Sequence, residues 1–170
     1  MTIKTFLPIL TLALAATSLA FGTSAQARGV AHIGNGANGA TVVGGQRGVA
    51  ASGHTTTYNA DGSTTVSSAG GYAGASGGRG YRSGSTTVGA DGSVSRSGSA
   101  SASGSNGSVQ TSGGFTRSAN GTWSGSRSTS ATNANTGNSY SGTTSIDPAT
   151  GKPVHTGTCT NASGQAISCR

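Results

Sequence analysis

Every leucine of the chain precedes residue 20. Leu7, Leu10, Leu12, Leu14 and Leu19 share one apolar stretch behind Met1 and Lys4, and that stretch ends at Ala25-Gln26-Ala27. A positive start, a short apolar middle and an A-x-A end form a secretory signal peptide, with cleavage expected between Ala27 and Arg28. Residues 6–20 fall short of the about 20 apolar residues that a membrane-spanning helix needs, so no transmembrane segment is expected once the leader is removed. Beyond Ala27 the pattern changes. Leu, Met and Glu are absent, and Val, Ile, Tyr, Phe and Trp stand singly among Gly, Ser, Thr and Ala. Glycine disfavours helix interiors, while β-branched and aromatic residues favour strands. Segments such as 85–88, 108–111 and 140–146 are therefore read as strands.

Turn signals divide these strands at regular steps. Asp61-Gly62, Asp91-Gly92, Asn120-Gly121 and Thr150-Gly151 are spaced by 30, 29 and 30 residues, and Gly77-Gly78, Asn106-Gly107 and Thr136-Gly137 fall between them. Gly164 closes the series. Asp-Gly and Asn-Gly are the residues of a type I′ hairpin, and repetition at fixed spacing outweighs local propensity. Folding the chain on paper sets expected partners. About Asn106-Gly107, Phe115 falls opposite Gly98, but Arg96 falls opposite Arg117, which is unfavourable. About Thr150, Ile146 meets Val154 and Thr144 meets Thr156. About Gly164, Cys159 meets Cys169, within reach of a disulfide. The Arg–Arg clash weighs against a strict meander and towards a wound chain.

The expected class is all-β. It consists of antiparallel hairpin repeats, or a β-solenoid-like winding, with turns about every 15 residues in a 30-residue double repeat. The chain is of low complexity and partly disordered behind an N-terminal signal helix. The expected divisions are a signal peptide over 1–27, a flexible Gly-rich leader over 28–54, Gly/Ser/Thr-rich β-repeats over 55–153 and a C-terminal disulfide hairpin over 154–170.

Composition sharpens the picture. Only 18 large apolar side chains serve the 143 residues after Ala27. Burying one contributes about 2 kcal/mol, and fixing one residue's backbone costs about 1–2 kcal/mol. No conventional core can order such a chain. Order must come from backbone hydrogen bonds, stacking of small side chains or association with further copies; the alternative is a flexible chain. The run 97–105 is silk-like, and small side chains leave register weakly specified. The whole chain carries a net charge of +7, with its arginines dispersed and no basic run. A positive surface favours polyanions, but without a basic run no specific nucleic-acid site is expected. Cys159 and Cys169 form no CxxC pair and have no His between them, so a zinc reading fails. Two cysteines in an exported chain most often form one disulfide.

Chemical motifs are sparse. Gly34-Asn35-Gly36-Ala37-Asn38-Gly39 matches G-x-G-x-x-G, but no helix follows to receive a phosphate. Gly74-Ala75-Ser76-Gly77-Gly78 matches G-x-S-x-G, with nothing to bring His32, His54 or His155 beside Ser76. Asp61, Asp91 and Asp147 are the only acids, and they are read as turn formers that bond local amides. No catalytic residue, metal site or cofactor is expected.

From residues 137–144 through His155 and Cys159 to Cys169, the chain resembles small exported Gly/Ser/Thr-rich repeat proteins of Gram-negative bacteria that have no assigned activity. The resemblance implies export and a terminal cystine hairpin, and it implies no chemistry. The functional expectation is a non-enzymatic structural or interaction protein of the cell envelope or extracellular matrix, found in the periplasm, at the cell surface or outside the cell. Its partners would be further copies of itself or anionic and glycan envelope surfaces. The alternative is a periplasmic polyanion-binding module. Candidate contact residues are Tyr58, Tyr72, Tyr81, Arg96, Phe115, Arg117, Trp123, Arg127 and Tyr140, since exposed aromatics and arginines suit glycans and anions.

Overall fold

The computed structural model describes residues 29–169; the expected leader and its Ala27–Arg28 cleavage site lie outside them. The described chain is all-β, a single sheet of eleven strands whose spatial order equals their sequence order. The strands are β1 (Gly29–Gly34), β2 (Asn38–Gly45), β3 (Gly48–Tyr58), β4 (Thr64–Gly74), β5 (Arg79–Val88), β6 (Val94–Gly104), β7 (Gly107–Arg117), β8 (Trp123–Asn133), β9 (Ser139–Ile146), β10 (Pro153–Thr160) and β11 (Ala166–Ile167). Every neighbouring pair is antiparallel. The sheet is therefore a meander, and the wound alternative is set aside.

No second layer covers the sheet. Among the described residues no hydrophobic side chain is buried, and Ser63 alone among polar residues is. Order comes from the hydrogen-bonded ladder, as the shortage of apolar side chains requires.

The hairpins differ from the expected type I′ turns. In the β3–β4 loop the Asn59 N–H donates to the Ser63 carbonyl, the Gly62 N–H donates to the Asn59 carbonyl, and Gly62 has φ +80°. The β4–β5, β5–β6, β7–β8 and β10–β11 loops repeat this scheme with Gly77, Gly92, Gly121 and Gly164 in the left-handed region. This is the three-residue loop that ends in one left-handed glycine, so only the glycine of each Asp-Gly or Asn-Gly pair needs that conformation.

Loop length corrects the paper registers. Between β6 and β7 the loop is Ser105-Asn106, flanked by the pair Gly104–Gly107, so Gly98 faces Gly113, Arg96 faces Phe115 and Arg117 faces Val94. The Arg96–Arg117 clash does not exist. A loop of residues 148–151 moves the β9–β10 register by one, which places Ile146 opposite Pro153 and Thr144 opposite His155. At the C-terminus Cys159 pairs with Ile167 rather than Cys169. The cystine forms all the same, as a diagonal link with 5.4 Å between Cα atoms.

The span 28–54 is also corrected, because β1, β2 and most of β3 lie in it. Its Val30, Ile33, Thr41, Val42, Val43 and Val49 stand among small residues that let the backbones pair, and two-residue loops at Gly36-Ala37 and Gln46-Arg47 replace the Asp-Gly signal. β3 crosses the expected boundary at 54/55, and β10 begins at Pro153.

Candidate functional site

Side chains alternate between the two faces along a strand, and directly opposed residues share a face. The registers therefore assign every strand residue to a face, and the two faces are unlike. One face, called here the aromatic face, carries Tyr58, Tyr72, Phe115, Trp123 and Tyr140, the strand arginines Arg82, Arg96, Arg117 and Arg127, and His32, His54 and His155. The other, the hydroxyl face, carries rows of small residues. Ser83, Ser99, Ser112, Ser128, Thr143 and Thr156 stand side by side from β5 to β10. Tyr81 and Arg79 lie on that face as well, with Ile33, Val42, Val49, Gln110 and Val154. Of the nine expected contact residues the fold gathers eight on one surface and sends Tyr81 to the opposite one.

An apolar row crosses the aromatic face. It runs from Val30 on β1 through Val43, Tyr72, Val109 and Tyr140 to Ile167 on β11, with only Ala, Gly and Cys159 between. No run of sequence shows it, since each strand contributes one residue.

The arginines concentrate on β6, β7 and β8. Arg96 lies directly opposite Phe115, and Arg117 lies directly opposite Trp123. Arg127 stands two residues from Gly125, which faces Phe115. Strands lie about 4.8 Å apart and a two-residue step advances about 6.8 Å, so the five side chains root in an area about 10 Å by 14 Å. Gly98, Gly113 and Gly125 leave the backbone between them bare. The φ of Gly125 is +130°, and an added Cβ there would meet the backbone of β7. Nearer β3 to β7, Tyr72, Arg82, Val109 and Thr111 line an open trough of about 460 Å³ on the same face.

No acid stands on a strand. Asp61, Asp91 and Asp147 all sit in loops along one rim of the sheet. Asp61 Oδ1 accepts from the Ser63 N–H at 2.9 Å and from the Ser63 hydroxyl at 2.7 Å. Its carboxyl is held below its ordinary pKa by that hydroxyl first and that amide second. The hydroxyl and amide of Ser93 do the same for Asp91. Asp147 is lowered by the Ala149 amide and then by the Thr150 hydroxyl. The carboxylates are thus occupied within their own turns, and the guanidinium groups face outward with no acid across a strand.

Sequence reasoning missed one contact. The Tyr140 ring lies over Gly142 and Gly157, and its hydroxyl meets His155 Nε2 at 2.8 Å, while His155 Nδ1 meets Thr144 Oγ1 at 3.0 Å. The signal was the pair of glycines, which β9 and β10 set opposite one another.

The arrangement suits recognition of an extended, charged or sugar-like surface. Guanidinium forks bind phosphate, sulfate and carboxylate groups in two-point fashion, and aromatic rings offer flat apolar area with a polar edge. The Cys159–Cys169 disulfide fits an oxidising, exported setting, and no described helix is long and apolar enough to cross a membrane. Comparison with protein-family models, with curated proteins and with solved structures finds no match.

Proposed function

We propose that the chain is an exported, non-enzymatic structural and interaction protein of the bacterial cell envelope or extracellular matrix, which adheres through its aromatic face to anionic glycan surfaces. One observation carries this reading: the registers place five of the six strand aromatic rings and four of the five strand arginines on one face and most of the strand hydroxyls on the other. Random placement would scatter them. Rings stack on sugar faces while guanidinium groups take the phosphates or carboxylates between sugars.

The test is co-sedimentation of residues 28–170 with lipopolysaccharide vesicles. Replacing Arg82, Arg96, Arg117 and Arg127 together by Gln should weaken binding about tenfold or more. Replacing Arg47 and Arg79 should change it little. Equal binding by both variants, each with its strand circular dichroism intact, defeats the reading.

The close grouping of Arg96, Arg117 and Arg127 favours a second reading, a periplasmic polyanion-binding module. Trp123→Ala with Phe115→Ala separates the two. The glycan reading expects lost binding, whereas the polyanion reading expects retained binding whose logarithm falls steeply with the logarithm of salt concentration.

A further inference from the structure

The two outer edges of the sheet are finished differently. Natural edge strands are blunted by charge, proline, bulges or brevity, because an open edge invites another strand. β1 has none of the first three. Its sequence Gly-Val-Ala-His-Ile-Gly holds no acid, lysine, arginine or proline, it pairs with β2 without a bulge, and all six residues are exposed, Val30 at 71% and Ile33 at 72%. At the other side β11 covers only Thr160 and Cys159 of β10. Residues 153–158 of β10 have no outer partner among the described strands, and they carry one edge device, Pro153.

Strand parity makes these edges complementary. β1 and β10 are separated by nine antiparallel pairings, so they run in opposite directions. A second copy added beyond β10 so as to continue the sheet brings its β1 antiparallel to β10, with the same face upward. Keeping the rows in line places Ala31 opposite Thr158, His32 opposite Gly157, Ile33 opposite Thr156 and Gly34 opposite His155. The aromatic and hydroxyl faces then continue across the joint. β11 fills the place that Gly29 and Val30 would take, so the cystine-held hairpin limits the joint to those four pairs.

We propose that copies of this chain join edge to edge, β1 of one onto β10 of the next, in an open-ended sheet that presents a continuous aromatic face. The joint is heterologous, and each added copy leaves one unlike edge free at either end of the array for the next. The proposal deepens the structural reading above by naming the partner and the surface it uses.

The test uses oxidised residues 28–170 at rising concentration. Sedimentation should show growth in steps of one chain, and oriented fibres should give a reflection near 4.7 Å along the growth axis. Ile33→Lys blocks β1 and Thr156→Lys blocks β10, so each variant alone should stay monomeric. Mixed in equal amounts, they should form one-to-one dimers and stop, because each supplies the edge that the other retains. Assembly of either variant alone, absence of dimers from the mixture, or a wild-type chain that stays monomeric overturns the proposal. If Ile33→Lys loses its strand signal, Ala31→Lys replaces it. The Thr156→Lys monomer, assayed on lipopolysaccharide vesicles, reports the adhesive reading separately. Binding by that monomer alongside failed assembly sinks the edge joint alone, whereas assembly by the wild type without vesicle binding sinks the adhesion alone.

Discussion

At the scale of single residues the loops hold the clearest chemistry. Asp61 and Asp91 shape their turns as acceptors for the amides of Ser63 and Ser93, and Asn120 plays the same part for Thr122 at 3.0 Å. The two carboxyls are lowered below their ordinary values, and the amide side chain of Asn120 does not titrate. A group whose folded pKa is depressed adds stability above its unfolded value, and that stability is lost as pH falls through the folded value. Exchange protection of the Ser63 and Ser93 amides should therefore decline as pH drops below about 4, while the Thr122 amide serves as an internal control that keeps its protection. A parallel decline at all three turns would show that the effect is global unfolding. Glycine is required at particular positions rather than everywhere. At Gly125, with φ +130° and the β7 backbone against its missing Cβ, Gly125→Ala should destabilise by about 1–3 kcal/mol. At Gly44, whose Cβ position meets nothing within 4 Å, Gly44→Ala should be neutral or stabilise by about 0.4–1 kcal/mol. Urea melts of the two variants check this, and equal effects would remove the backbone argument.

At the scale of elements, strand type and approximate turn positions were legible in the sequence, but register was not. Val, Thr and aromatic residues among glycines announce strands, and seven of the eight glycine-marked corners fall in loops between strands, while the eighth, Asn106-Gly107, straddles the end of its loop and the start of β7. Register depends on how many residues a loop holds, and Asp-Gly suits both a two-residue and a three-residue loop. Loop length is decisive at β9–β10, where the four-residue loop 148–151 steps the register by one and so moves every side chain of the later strand to the other face relative to its neighbour. For the same reason the sorting of arginines and rings was hidden, although eight of the nine residues that form it had been singled out by type. The span 28–54 was misread because its loops lack Asp-Gly. The cystine was readable because its ends need only proximity, and a diagonal at 5.4 Å provides that. Its role in the sheet yields a prediction. Closing this short loop is worth about 2–3 kcal/mol to the terminal hairpin, so reduction should release β11 and open Cys159 and Thr160 as edge. The edge joint could then lengthen from four residue pairs to six, and the chain carrying Cys159→Ser and Cys169→Ser should assemble faster than the oxidised wild type. Assembly rates followed by light scattering, with and without reductant, check it; slower assembly on reduction would mean that β11 belongs to the joint.

At the scale of the whole molecule, a sheet with no buried hydrophobic side chain should not melt like a globular domain. Each strand touches only its sequence neighbours, so stability is close to a sum of pairwise ladders, as in repeat proteins. Protection against exchange should peak near β5 to β7 and fall towards both edges. The heat capacity of unfolding gives a sharper test. Globular domains show about 12–15 cal/mol/K per residue because unfolding wets apolar surface, and wetting polar surface lowers the figure. Here most of the rings and valines are already wet, with Tyr58 at 77% exposure and Trp123 at 48%, while unfolding releases paired amides and hydroxyls. Calorimetry of the Thr156→Lys monomer should therefore return a heat capacity change per residue well below the globular range, with a broad transition. The assembled wild type should return a similar value, because edge pairing adds hydrogen bonds and covers little apolar area. If the monomer gives the small value and the assembly the globular one, copies are meeting through the apolar row of the aromatic face, and face-to-face stacking replaces the edge joint. If the monomer itself gives the globular value, the single open layer is wrong, because some apolar surface must be hidden within one chain.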